Sequence, residues 1–87
     1  MRFVFSSRFE KSVHKRPRRI QELVVERLEL FKADRSHPLL DDHPLGGKLA
    51  GMRSISVSGD LRIQYESLSD DLIRLIDFGT HHELYGS

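Results

Sequence analysis

The chain of 87 residues has no cysteine. Disulfides and thiolate metal sites are thereby excluded, and a reducing compartment is allowed. It also has no run of about 18 apolar residues, so no transmembrane span is expected. The stretch MRFVFSSRFEKS lacks the long apolar core of a secretory signal, and a cytoplasmic protein is the expectation. There is no internal repeat and no low-complexity segment. Of the five histidines, four stand at His37, His43, His81 and His82, but no two of these share i, i+4 spacing on a helix, so no metal site is expected. A hydrophobic share of only 38% in a chain this short points to one domain of marginal stability without a partner.

What is present is unevenly spread. Residues 1–20 hold seven Lys and Arg side chains against one acid, Glu10, for a net +6. Residues 21–87 carry −5, so the overall charge of +1 hides a basic N-terminal quarter. Such a segment suits a polyanion or an acidic partner; a solvated helix face would look the same.

Arg2 to Phe5 is rich in β-formers and reads as a strand. Ser7 and Glu10 have capping-box spacing and predict a short helix to about Lys15. Pro17 ends it and suits the first turn of a second helix, from Pro17 to about Asp34. Ile20, Leu23, Val24, Leu28 and Phe31 form the apolar stripe of that helix and are core candidates. Residues 35–51 then read as a loop, broken by Ser36, Pro38, Pro44, Gly46, Gly47 and Gly51. Long connections of this kind are usually functional or disordered, and His37, His43 and Lys48 favour function.

Three strands follow. Arg53 to Val57 and Leu61 to Tyr65 alternate around a Ser58-Gly59-Asp60 turn. Ser67 to Asp71 turns the chain again, and Leu72 to Phe78, the most apolar run, suits a central strand. Ile55, Val57, Leu61, Ile63 and Tyr65 would face the helices. Ser54, Ser56, Arg62 and Gln64 would face the other way. The expected fold is α+β: a small antiparallel sheet of about four strands, one face covered by the N-terminal helix pair and the other polar and open.

Thr80-His81-His82-Glu83 is a second capping-box match, followed by Leu84 and Tyr85. It places His81 and His82 at a helix start, where outward backbone N–H groups favour an anion such as phosphate. His81 is thus a candidate for proton transfer beside a phosphate, as is His43 on the loop. Spacing alone more readily fits two histidines on an exposed terminal turn.

The stretch from Asp42 to Tyr85 carries a further signal. Its His-x-Leu-x-Gly loop (His43 to Gly47), Gly51-Met52-Arg53 at a strand start, Asp60 before the next strand, and Gly79-Thr80-His81 resemble the RelE/ParE superfamily of bacterial toxins, most closely the YafQ-like branch. The resemblance extends over nearly the full length. It implies a metal-independent, ribosome-associated mRNA endoribonuclease without cofactor, acting on ribosome and mRNA and neutralised by a cognate antitoxin. In that reaction the RNA 2′-OH attacks the adjacent phosphate and the 5′-oxygen leaves, which needs a base, an acid and positive charge on the phosphorane.

Carried over by position, His43 matches the loop histidine of proton transfer, Asp60 the acid after the first strand turn, and His81 the Gly-Thr-His histidine. Tyr85 matches a C-terminal aromatic that packs on a base. Three positions depart: the family's strand histidine falls at Ser56, its aromatic after the acid at Leu61, and its arginine before Gly-Thr-His at Asp77. The missing phosphate cation would come from Arg62, whose parity directs it to the open face, with Arg53 and Lys48 as further candidates. Arg53 has the parity of Ile55, which also fits a structural role. Lys15, Arg18 and Arg19 would contact ribosomal RNA phosphates. The departures leave two alternatives open: a ParE-like toxin that inhibits DNA gyrase by binding, or an inactive module that binds RNA or antitoxin.

Overall fold

The computed structural model describes residues 1–85, which run β1 (Arg2–Phe5), α1 (Ser7–His14), α2 (Arg18–Ala33), β2 (His43–Pro44), β3 (Arg53–Ser58), β4 (Leu61–Ser69), β5 (Leu72–Thr80) and α3 (His81–Tyr85). The strands form one sheet in the order β1-β5-β4-β3-β2. The α+β layout with its N-terminal helix pair is as the sequence suggests, but the sheet differs in three ways. It has five strands, because His43 and Pro44 pair with Ser54 and Arg53 inside the expected loop. It is mixed rather than antiparallel, because β1 runs parallel to β5, with Arg2 opposite Leu72 and Phe5 opposite Leu75. Two helices separate β1 from the other strands, and only such a long connection can return a chain in the same direction. The middle strand is β4, not the more apolar β5, which lies between β1 and β4.

Local signals set most boundaries. Pro17 precedes α2, and Gly59 takes φ +53 in the β3–β4 turn, a left-handed conformation that glycine adopts without steric cost. Two expectations shift. The cap of α1 is Ser6, not Ser7: its hydroxyl accepts the Phe9 N–H at 3.0 Å. Ser6 also continues the β1 ladder, its N–H bonding the Leu75 carbonyl at 3.1 Å, so the helix begins directly at the strand's end. The second hairpin turn shrinks to Asp70-Asp71, because β4 stays paired to β5 through Ser67 and Ser69. Backbone ladder bonds do not require an apolar side chain, and Leu68 there is exposed.

The core lies between the helix pair, with Phe9 of α1 buried in it, and one face of the sheet. Val24, Leu28 and Phe31 from α2 meet Ile55, Val57, Ile63, Tyr65, Ile73, Leu75 and Phe78. The Phe31 ring lies 5.1 Å from that of Tyr65 and 6.2 Å from that of Phe3, separations at which aromatic pairs attract. Residues 35–51 are not structureless. A 3₁₀ turn at Pro38–Leu40 drops Leu40 fully into the core, and a second forms at Gly47–Leu49.

Asp42 fastens this segment to the sheet. Its Oδ1 accepts the Tyr65 hydroxyl at 2.7 Å and Arg53 Nε–H at 3.0 Å. Burial, and then the neighbouring Asp42 carboxylate, push the Tyr65 phenol above its ordinary pKa, so it stays a donor. Arg53 therefore holds structure. Tyr65→Phe keeps the ring and deletes the donor. It should lower stability by about 1–2 kcal/mol in urea unfolding; no change would mean the loop is held by Leu40 and Arg53 alone.

Candidate functional site

Residues directly opposite in an antiparallel pair share a face. The register therefore aligns His43, Ser54, Gln64 and Asp77 in one row across β2, β3, β4 and β5. The next row holds Ser56, Arg62 and Gly79. Both rows lie opposite the helix-facing row Ile55, Ile63, Phe78. This is the polar face, but it is less open than its sequence suggests. Ser54 is fully buried and Gln64 only 4% exposed, whereas Arg62 is half-buried between two small neighbours, its Nη1–H donating to Ser56 Oγ at 2.7 Å.

At the end of β5 the capping box forms as its spacing predicts. Glu83 N–H bonds Thr80 Oγ1 at 3.1 Å, and Thr80 N–H bonds Glu83 Oε1 at 2.8 Å. Gly79 leaves room for this: a Cβ there would stand 3.0 Å from Glu83 Oε1. His81 opens α3 and is exposed. Its backbone N–H donates to Asp60 Oδ2 at 3.2 Å, and its ring lies 4.4 Å from that of Tyr85, one turn along. Asp60 thus touches the start of α3 through the backbone rather than through the imidazole.

His81, Leu84 and Tyr85 form one wall of a shallow groove; Pro44, Leu45, Gly46, Lys48 and Leu49 form the other. The loop lysine and two of the C-terminal candidates are therefore brought together. His43 is not among the lining residues but precedes Pro44 on β2; it is exposed, with Nδ1 2.7 Å from the Asp41 carbonyl oxygen. A carbonyl only accepts, so Nδ1 carries the proton and Nε2 of the neutral ring is left as an acceptor.

Other candidates lie elsewhere. Arg53 points to Asp42 and lines a separate polar cleft with Arg35, Ser36, His37, Pro38 and Asp41. Lys15 borders a shallow hollow on α1 with Arg8 and Lys11. Arg18 and Arg19 are exposed at the start of α2, Arg18 3.8 Å from Glu22. Among the described residues, no group of three His, Asp or Glu side chains could hold a metal ion, and no helix is long and apolar enough to cross a membrane.

Two contacts at this site have no sequence signal. Asp77, where the resemblance expects an arginine, does not stand open beside the groove's lysine. Its Oδ1 accepts Ser12 Oγ–H at 3.1 Å and the Phe78 N–H at 2.8 Å, which turns the carboxylate toward α1 and the backbone. Arg16 reaches from the α1–α2 corner to Glu83 as an ion pair. Residues 65 and 67 positions apart meet in these pairs, and no local pattern marks such distances.

Known proteins share this fold. A family model described as a bacterial toxin of the type II toxin–antitoxin system, YafQ, matches residues 1–86. The crystal structure of YafQ from Escherichia coli BL21(DE3) is similar with 27% identity, a TM-score of 0.76 and coverage of 98% of each chain. A chain of the E. coli DinJ–YafQ complex is similar with 26% identity, a TM-score of 0.70 and coverage of 98% of each chain. A chain of the toxin–antitoxin complex RelBE2 of Mycobacterium tuberculosis gives 26% identity and a TM-score of 0.66, over 91% of this chain and 95% of that one. No curated protein sequence is significantly similar.

The Thr80 N–H, and then the Arg16 guanidinium, hold the Glu83 carboxyl down to a pKa of about 2. A carboxylate depressed in the folded state adds stability above its ordinary pKa and loses it as pH falls towards the folded value. The Tm gap between the wild type and Glu83→Gln should be full above pH 4.5 and close by about pH 2, as followed by thermal melts. A gap that is constant over that range would show that the carboxylate's charge does not matter.

Proposed function

Because the chain belongs to the YafQ family of type II toxin–antitoxin toxins, we propose that it is an mRNA endoribonuclease acting in the cytoplasm on translating ribosomes and held inactive by a cognate antitoxin. The observation that carries this reading is the groove, which gathers an imidazole, an aromatic ring and a lysine from distant parts of the chain. Such a set can bind a nucleotide and move a proton beside its phosphate.

In this reading His43 Nε2 takes the proton of the RNA 2′-OH, whose oxygen attacks the adjacent phosphorus. The bond to the 5′-oxygen breaks, and protonated His81 supplies that oxygen's proton. A 2′,3′-cyclic phosphate and a free 5′-hydroxyl result. Lys48 and Arg62 offset the charge that grows on the phosphorane. The Tyr85 ring packs on a base. Asp60 acts by fixing the first residue of α3. Hydrogen bonds from Ser12 and the Phe78 N–H turn Asp77 toward α1, and it is not among the residues lining the groove.

Lys15, Arg18 and Arg19 extend the cationic surface toward ribosomal RNA phosphates, with affinity that falls as salt rises. For the antitoxin, the structure offers an apolar groove lined by Phe3, Phe5, Phe9, Val24, Val25 and Leu28. Phe5 and Val25 are about half exposed there, and β1 forms the sheet's edge. A folding antitoxin segment seated on it would stabilise the toxin through linkage.

His81→Ala should abolish growth inhibition on induction while changing stability by no more than about 0.5 kcal/mol, because the side chain is exposed. A fully toxic His81→Ala chain would remove His81 from the chemistry. Arg62→Ala should weaken RNA cleavage far more than antitoxin binding; equal losses in cleavage and pull-down assays would mark Arg62 as structural.

A further inference from the structure

The second half of β5 has no strand on its outer side. The β1 pairing ends at Leu75, and α1 takes over that edge. Ser6 Oγ–H donates to the Ile76 carbonyl at 2.7 Å, and Ser12, further along α1, reaches Asp77. At the corner after α1, Arg16 crosses to α3. Its guanidinium lies 5.7 Å from the centre of the Phe78 ring, within cation–π range, and it pairs with Glu83. The corner itself is fixed: Gln21 Nε2–H donates to the Arg16 carbonyl at 2.9 Å and to that of His14 at 3.3 Å. The Arg16 side chain is only 20% exposed. It is therefore not a free cation waiting for a phosphate.

We propose that Arg16 is a positioning residue: its ion pair with Glu83 sets the orientation of α3, and with it the His81 imidazole and Tyr85 ring in the groove. The physical need is clear. A helix of five residues lies far below the roughly 12 at which a helix begins to hold itself. Its first turn is held by Thr80, by Asp60 on the His81 N–H, and by Arg16. Only Arg16 comes from outside the sheet, on the helix layer. The inference rests on the reading of the groove as a ribonuclease site, and it concerns geometry that a small displacement would spoil.

The test compares the wild type, Arg16→Ala, Glu83→Gln and the double variant on translating ribosomes programmed with a defined mRNA. Glu83→Gln keeps the side chain's shape and its bond from Thr80, so it remains informative if Arg16→Ala folds poorly. Each single variant should lose about 100-fold in kcat with KM little changed, and the double variant should be no worse than either. NMR of each chain should show a displaced His81 ring signal and faster amide exchange from His82 to Tyr85. A raised KM with intact kcat would make Arg16 an RNA contact and overturn the proposal. So would additive losses in the double variant. If the wild type cleaves no RNA, the ribonuclease reading fails separately, and NMR then decides: unchanged His81 signals and exchange in Arg16→Ala overturn the positioning role.

Discussion

One carboxylate, that of Glu83, holds the piece of chain on which the candidate site depends. The helix that carries His81 and Tyr85 is a single short turn, and intrinsic helix propensity cannot fix it. Glu83 binds the Thr80 N–H of its own cap and the guanidinium of Arg16 from the opposite end of the sequence. The same group closes a local motif and anchors that motif to the helical layer. Gly79 is part of the arrangement, since a side chain there would crowd the carboxylate.

A second carboxylate does similar work on the other wall. Asp42 ties the loop to Tyr65 and Arg53, and Leu40 fills the core beside it. The short strand at His43 and Pro44 then follows on β3, which puts Lys48 and the loop's apolar residues opposite α3. Leu40 and Asp42 are buried and half-buried behind the loop wall, whereas Glu83 on the other wall and the groove residues His81 and Lys48 are exposed. Loops that carry function from a rigid scaffold are commonly built this way.

Much of this was legible in the amino-acid order wherever the physics is local. The capping box at Thr80 and Glu83, the breaks at Pro17 and Gly59, and the alternation of Arg53 to Tyr65 each act within a few residues. Arg62 was directed to the polar face by parity alone. What escaped notice depends on distant partners. The parallel β1, the short β2, the burial of Ser54 and Gln64, and the pairs Ser12–Asp77 and Arg16–Glu83 all need the assembled sheet. Asp77 is the instructive case: as a letter it reverses the charge of the expected site, but in the fold its carboxylate turns to Ser12 and the Phe78 N–H. Arg53 is its mirror image, a cation that looked available and is held by Asp42.

The fold and family leave two modes of toxicity, cutting RNA and binding a target, and the groove favours cutting because an imidazole, an aromatic ring and a lysine converge there. The most direct measurement is to induce the chain without its antitoxin and map mRNA 5′ ends across the transcriptome. New ends with 5′-hydroxyls, phased to codons within translated frames, are the expected result. Growth arrest with intact mRNA and damaged DNA would contradict the ribonuclease reading.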